Sequence, residues 1–474
     1  MLLVVFGALS LGCVAWAVAQ STERLPDYPE ACVLFNASRV RDGFPLYVTP
    51  ETGGAEYTSG PPSRYFVAYT PFYAMALSLV PAGAAMAASR LFGLLAWASA
   101  LVWSVVRARD AEARRWATVA ALFVGSTYHF ARWSACTKPD AIALLLTAIA
   151  LERALSRRTL GFASGALFAM AAVLKPSVVG ALLGVSVLSG VVVVARSLRR
   201  RRAMLGHARG LAAAGVVALV SLIGLDIGSG GLAITQLRSA LALKFVWSHF
   251  VEMNVSRGPF LAAIVVVAVL AAWPSRGTIR GKLALSALAG SVATCAFGLG
   301  KLGSASNYLM EPSLVSVIVV AAFGLRLPRS LASRTVSLAA VFVSVAWVDV
   351  ATARSLVDEV NDWGKERAEL SAARATCPAK GFVLSHDPGL ELTLNGRIYT
   401  HALEVWAATL AGRFPERVWV HDVAHPDVEC FVAETASTFE SPPGVFPPEV
   451  ARALADEFGP PERIGRFVTY KRMR

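Results

Sequence analysis

Eleven apolar stretches separated by short polar connections govern what this chain can fold into. They lie near 2–19, 85–106, 116–131, 139–154, 159–174, 176–195, 208–225, 259–274, 283–299, 311–325 and 335–351. A helix needs about 20 apolar residues to cross a bilayer, so the shorter stretches have soft ends. Charge decides between threadings. With the N-terminus inside, the inner connections carry Arg107, Arg109, Arg114 and Arg115, then Arg153, Arg157 and Arg158, then Arg196 and Arg199 to Arg202. Arg276, Arg280 and Lys282 follow, and after them Arg326, Arg329 and Arg334. The short outer connections hold far fewer basic residues, and one orientation satisfies every loop. The expected fold class is an α-helical polytopic protein of about 11 spans. It would be a multi-pass protein of the cell inner membrane. An odd number of crossings places the tail outside. The expected domains are a membrane domain over 1–351 and an extracytoplasmic one over 352–474.

Only 16% of residues are charged, against roughly 25% in soluble domains. The net charge of +13 would suit nucleic acid, but the basic residues cluster between apolar spans and no nucleic-acid motif is present. No nucleic-acid partner is expected. Cys13, Cys32, Cys136, Cys295, Cys377 and Cys430 form no C-x-x-C pair. Cys377 and Cys430 both fall in the polar tail. An oxidising compartment would let them form a disulfide, and two buried free thiols are the equal alternative.

The first stretch ends in "AWAVAQS", with Ala17 and Ala19 at the small positions of a signal-peptidase site. No Lys or Arg precedes it, which favours an uncleaved span. Either way the first loop, 20–84, lies outside. Val33, Leu34, Ala37 and Val40 recur at helical spacing, predicting an amphipathic helix over 30–42 on the membrane surface. "YTPFYAMALSLV", 69–80, is too short to cross and reads as a second interfacial or re-entrant helix. "ALALKFVWSHFVEM" in the 225–258 loop reads as interfacial too. In the tail, "KGFVLSHD", "RIYTH", "VECFVAE" and "RFVTYKRM" look like strands, and "EVWAATLAGRF" and "PPEVARALADEF" like helices. A small α/β domain fits, large enough to bury a core.

Asp27 and Glu30 open the first loop as D-x-x-E, the pattern of a capping box. The same carboxylates at a membrane surface could supply a general base. Asp140 in "CTKPDAIALLL" heads an apolar span, where the helix dipole alone would favour an acid. An acid at the mouth of a membrane helix is also a functional candidate. Lys138 beside it could hold a phosphate or pair with Asp140. Lys175 in "VLKPSVVG" snorkels to lipid headgroups or meets a bound phosphate. "GKLGSASNYLMEPSLVSV" sets Asn307, Tyr308 and Glu311 at a further outer mouth. These outer ends could converge beneath the first loop. His386-Asp387 and His421-Asp422 read as surface pairs. There is no D-x-D, P-loop, G-x-G-x-x-G, H-E-x-x-H or G-x-S-x-G motif, which removes support for nucleotide-sugar, ATPase, zinc-protease and serine-hydrolase chemistry.

The order of these pieces resembles the GT-C membrane glycosyltransferases. It runs from an inner N-terminus and apolar span to an acid-bearing loop with "ASRVRDGFPLY", then "YTPFY", "ASRLFGLLAWASALVWSVV", "KPDAIALLL" and "LKPS". "GSASNYLMEPSL" and "VLSHDPGLELTLNGRIY" extend the likeness into the tail. The branch concerned includes lipid A aminoarabinose transferase and protein O-mannosyltransferase enzymes, and bacterial relatives with a G-x-P-L-Y element are more similar still. The resemblance implies a helical bundle with interfacial helices in the first loop. It implies transfer of a sugar from a polyprenyl-phosphate donor to an extracytoplasmic acceptor, with inversion. Membrane lipid and that acceptor are the implied partners. The family's first-loop acid falls on Asp27 or Glu30, with Glu30 favoured beside Leu34, and its second acid on Asp140. Lys138, Lys175, Arg64, Tyr69, Asn307 and Glu311 are the implied substrate or phosphate contacts. Many relatives carry an adjacent D-E pair where this chain has D-Y-P-E, which leaves the choice of base open. A divalent cation, Mg or Mn, is an alternative to the lysines for neutralising the leaving phosphate. A transporter, or a lipid-linked glycan flippase or ligase, is the competing reading; paired repeats and mid-span charges would favour transport.

Overall fold

The structure, a computed structural model, describes residues 2–49, 52–54, 60–64, 67, 70–194, 201–241, 245–301, 306–325, 364–378, 381–399, 414–434 and 446–473, with isolated positions at 354, 357, 358, 362, 405, 409 and 412. The chain divides into two compact units. One, the helical unit, comprises 1–21, 90–223 and 245–357. The other, the loop-and-sheet unit, comprises 22–89, 224–244 and 358–474.

The helices in chain order are α1 (Leu2–Glu23), α2 (Tyr28–Arg41), α3 (Phe72–Ser78), α4 (Ala82–Val106), α5 (Ala111–Gly125), α6 (Tyr128–Ser134), α7 (Asp140–Arg157), α8 (Phe162–Leu174), α9 (Gly180–Val194) and α10 (Arg201–Gly228). They continue as α11 (Leu232–Leu241), α12 (Trp247–Ala272), α13 (Ile279–Leu299), α14 (Met310–Phe323), α15 (Pro388–Asn395), α16 (Glu416–Val423) and α17 (Pro448–Glu457). By length and composition, Ala82–Val106, Met204–Gly228, Gly258–Ser275 and Ile279–Leu299 suffice to cross a membrane. Shorter apolar helices cover Phe6–Ser21, Phe162–Leu174, Gly180–Val194 and Asn307–Phe323. The expected span at 335–351 lies outside the described residues.

In the helical unit every residue of α14 is buried. A helix apolar all round belongs at a centre, and α5, α7, α12 and α13 pack around it. By contrast α10 exposes Val216, Leu219, Val220 and Ile223, a face suited to lipid. α9 and α13 cross at backbone contact. A Cβ on Gly184 would strike the Ser286 carbonyl, and one on Gly290 would strike the Gly180 carbonyl. Without a hydrophobic drive between helices in lipid, such close approach supplies the dispersion contacts that hold a pair together.

Two expected segments differ. The stretch 116–131 is not one span: α5 ends at Gly125 and α6 begins at Tyr128. The Ser126 and Thr127 hydroxyls donate back to the Phe123 carbonyl, and Thr127 takes an extended backbone. Side-chain bonds of this kind compete with the helical ladder. Residues 247–253 do not form a separate interfacial piece; they are the first two turns of α12.

In the loop-and-sheet unit, β1 (Phe382–Leu384), β2 (Val428–Glu434), β3 (Glu462–Ile464) and β4 (Phe467–Lys471) form a sheet of order β1-β2-β4-β3. β1 and β2 are parallel, and the other neighbours antiparallel. Three of the four expected strands stand. "RIYTH" does not: Arg397, Ile398 and Tyr399 lie in no strand. The reason is Glu391, fully buried, whose carboxylate accepts from the Ser385 and Tyr399 N–H groups and so takes the donor a sheet would use. "EVWAATLAGRF" lies mostly outside the described residues. Cys377 and Cys430 form the disulfide, tying the helical stretch 364–376 to β2. First loop and tail share one core: Ala31, Phe35, Val48 and Val67 pack with Ile398.

The α9–α13 contact is tested by Gly184→Leu. Overpacking costs about 1–3 kcal/mol, and here it falls on backbone, so a clear drop in the melting temperature of the purified protein is expected. Gly190→Ala, on the same helix with open space around it, should leave that temperature unchanged.

Candidate active site

The helical unit gathers one charged cluster through the α7–α8 hairpin. Arg158 turns the chain in the left-handed conformation, Gly161 follows with φ of 58°, and α8 returns along α7. The start of α7 therefore meets the end of α8. Asp140 opens α7 and Lys175 closes α8, each with the sign its helix end favours. Asp140 Oδ2 lies 3.1 Å from Lys175 Nζ, and Asn307 Nδ2 donates to Oδ1 at 2.8 Å. Lys138 places its ammonium 3.9 Å from the centre of the Trp133 ring. Asp140, Lys138 and Lys175 are 3%, 3% and 5% exposed. The cluster thus sets one carboxylate and two lysine side chains together out of water.

Glu311, expected in the same group, works elsewhere. Its carboxylate accepts from the Gly180 and Ala181 N–H groups at 3.2 and 2.8 Å, capping α9 where backbone donors lack helical partners.

In the loop-and-sheet unit Asp27 and Glu30 form the capping box of α2. Glu30 N–H donates to Asp27 Oδ1 and Asp27 N–H to Glu30 Oε2, each at 3.1 Å. Arg24, which the sequence reading passed over, donates to both acids through one nitrogen, at 3.0 Å to Asp27 and 2.8 Å to Glu30. Its signal was faint, a lone arginine just past an apolar run. The Glu30 side chain is fully buried, whereas that of Asp27 is 21% exposed. Asp27 and Glu30 each offer a carboxylate oxygen, and these lie within 4.8 Å of one another, close enough for a divalent cation to be shared.

α2 is not a helix lying on a surface with one polar face. Glu30, Asn36 and Arg39 are buried along with Ala31, Val33 and Phe35. Arg39 is accommodated because it donates to the Pro45 carbonyl and lies over the Phe35 and Phe44 rings.

Arg64 is buried against Asp422, which also accepts from the Tyr399 hydroxyl at 2.9 Å. It braces first loop to tail. Tyr69 lies outside the described residues. The His421-Asp422 pair splits: the imidazole is exposed, but Asp422 is buried. Asp387 caps α15 through the Gly389 N–H. Burial, helped by the charges of Glu434 and Asp27, pushes its carboxyl up to about 7, and burial pushes the His386 imidazole down to about 4.

No protein-family model matches this sequence, and no curated protein matches it. Solved structures do. ArnT from Cupriavidus metallidurans in the apo state is 16% identical with a TM-score of 0.57, covering 98% of this chain and 97% of that one. The same protein bound to undecaprenyl phosphate is 14% identical with a TM-score of 0.56 and the same coverage. The archaeal oligosaccharyltransferase AglB from Archaeoglobus fulgidus, in complex with an inhibitory peptide and a dolichol-phosphate, is 11% identical with a TM-score of 0.50, over 100% of this chain and 74% of that one. The likeness is one of fold: this chain shares with those structures a bundle of apolar helices joined to a small sheet near the C-terminus.

Removing one partner of a buried ion pair costs about 3–5 kcal/mol. Asp140→Asn should therefore destabilise the protein strongly, and adding Lys175→Met should recover most of the loss in thermal unfolding. Asp387 gives a pH test. Its folded value near 7 exceeds the ordinary 3.8, so folding favours its protonated form and stability is lost as pH rises through that window. The melting temperatures of wild type and Asp387→Asn should nearly coincide at pH 4, with the variant the more stable by pH 8.

Proposed function

We propose that this protein is an inverting glycosyltransferase that moves a sugar from a polyprenyl-phosphate carrier to an acceptor hydroxyl outside the cytoplasm. The observation that carries the reading is the full-length likeness of fold to ArnT bound to undecaprenyl phosphate. The Asp140, Lys138 and Lys175 cluster adds support, because two lysines in a buried site suit a phosphate. The Cys377–Cys430 disulfide supports an extracytoplasmic tail.

In this reading Asp27 takes the acceptor's proton. Glu30, buried and held by backbone and Arg24, keeps Asp27 in place. The freed alkoxide pair forms the new bond to the anomeric carbon as the sugar–phosphate bond breaks. The departing electron pair stays on the lipid phosphate. Within the helical unit, Asn307 bonds Asp140 and Asp140 pairs with Lys175, which holds a lysine in the place a phosphate would favour.

The glycans and glycolipids of cells lacking the gene test this. One glycan should lose a sugar, and wild type should restore it. Asp27→Asn should give less than about 1% of wild-type transfer in membranes supplied with the lipid-linked donor, since general-base loss costs about 10²–10⁴-fold. An unchanged glycan profile would move the balance to transport.

A further inference from the structure

The first loop contains irregular backbone that lies out of water. Val48 and Val67 belong to no strand and are 9% and 3% exposed. Their side chains pack with Ala31 and Phe35 of α2 and with Ile398. A buried carbonyl or N–H is costly without a partner. Gln236 of α11, 188 and 169 residues away in sequence, serves both. Its carboxamide donates to the Val48 carbonyl at 2.8 Å and accepts from the Val67 N–H at 2.9 Å. One side chain thus stands in for the strand neighbour that neither residue has.

The local sequence delivers Gln236 to that place. Gly230 and Gly231, with φ of 62° and 87°, turn the chain out of α10 in a conformation that glycine adopts freely. Ser229 Oγ accepts from the Ala233 N–H at 2.8 Å, satisfying a donor that the start of α11 leaves open. Ala233 and Gln236, three residues apart, are buried on one face, while Thr235 and Arg238 are exposed.

From Gln236 the linkage runs on to α2. Arg39 of α2 donates to the Pro45 carbonyl, so the stretch 45–48 is held by α2 at one end and by α11 at the other. Val48 and Val67 bear on Ala31, whose N–H donates to the Asp27 carbonyl at 2.9 Å. We propose that Gln236 is a positioning residue for the transfer, a role that rests on the transferase reading: by pinning both stretches of the first loop against α2, it fixes where Asp27 stands. A base displaced by about an ångström loses much of its effect on rate while the substrate still binds.

The test uses the full-length protein with Gln236→Leu, which removes both bonds, and Gln236→Glu, which keeps an acceptor for the Val67 N–H but sets a second acceptor against the Val48 carbonyl. In Gln236→Leu the amides of 28–41 should exchange with deuterium about tenfold faster than in wild type, and those of α17 at the wild-type rate. With the undecaprenyl-phosphate-linked form of the sugar that the glycan profile identifies, kcat should fall about tenfold while KM for that donor stays within about twofold. Gln236→Glu should show about threefold of both effects, and it carries the test where the leucine variant fails to fold. Unchanged exchange over 28–41 overturns the clamp. Unchanged kcat beside a loosened α2, or a raised KM at unchanged kcat, overturns the positioning role. Wild type that transfers no sugar overturns the transferase reading and the positioning role with it, whereas the exchange rates still decide the clamp.

Discussion

Several acids of this protein sit at helix starts, and the fold depends on how each is satisfied there. Asp27 and Glu30 take backbone donors at α2, Glu311 at α9 and Asp387 at α15. Each relieves donors that a helix start leaves without partners. Asp140 is the exception. It also heads a helix, yet its contacts are side chains, Lys175 and Asn307. An acid that neglects the backbone beside it to organise an ammonium group has been placed for the sake of that group.

The capping of α9 by Glu311 is linked to the tightest packing in the helical unit. Gly180 offers its N–H to Glu311 while its carbonyl lies where Gly290 of α13 has no room for a side chain. Glu311 belongs to α14, the buried centre. One carboxylate thus sets the axial position of α9 against α14, and the glycine contact sets its distance from α13. The loop that bears Lys175 runs directly into Gly180, so the ammonium inherits its position from that junction.

Much of this was legible in sequence because its causes are local. The apolar runs, the D-x-x-E capping box at Asp27, and three strands of the tail depend on neighbours in the chain. So does the α7–α8 hairpin that joins Asp140 to Lys175. What was not legible depends on partners far away in sequence. Arg64 reads in the sequence as an implied phosphate contact, and its partner Asp422 lies 358 residues on. Asp422 reads as a surface acid beside an exposed histidine. "RIYTH" has strand composition, but Glu391, eight residues before Tyr399, takes the Tyr399 N–H, a demand that strand propensity does not register. The break at Ser126 and Thr127 was local yet missed, since hydropathy does not register a hydroxyl bonding backwards.

Arg24 bears on the first-loop acids directly. It donates to both carboxylates through one nitrogen, while Asp27 and Glu30 each hold the other's backbone N–H. The three side chains fix one another at the start of α2, so removing any one of them disturbs the other two. Of the two acids, Asp27 keeps an open edge, 21% exposed where the Glu30 side chain is wholly covered, and that edge is the part of the box an outside group can meet.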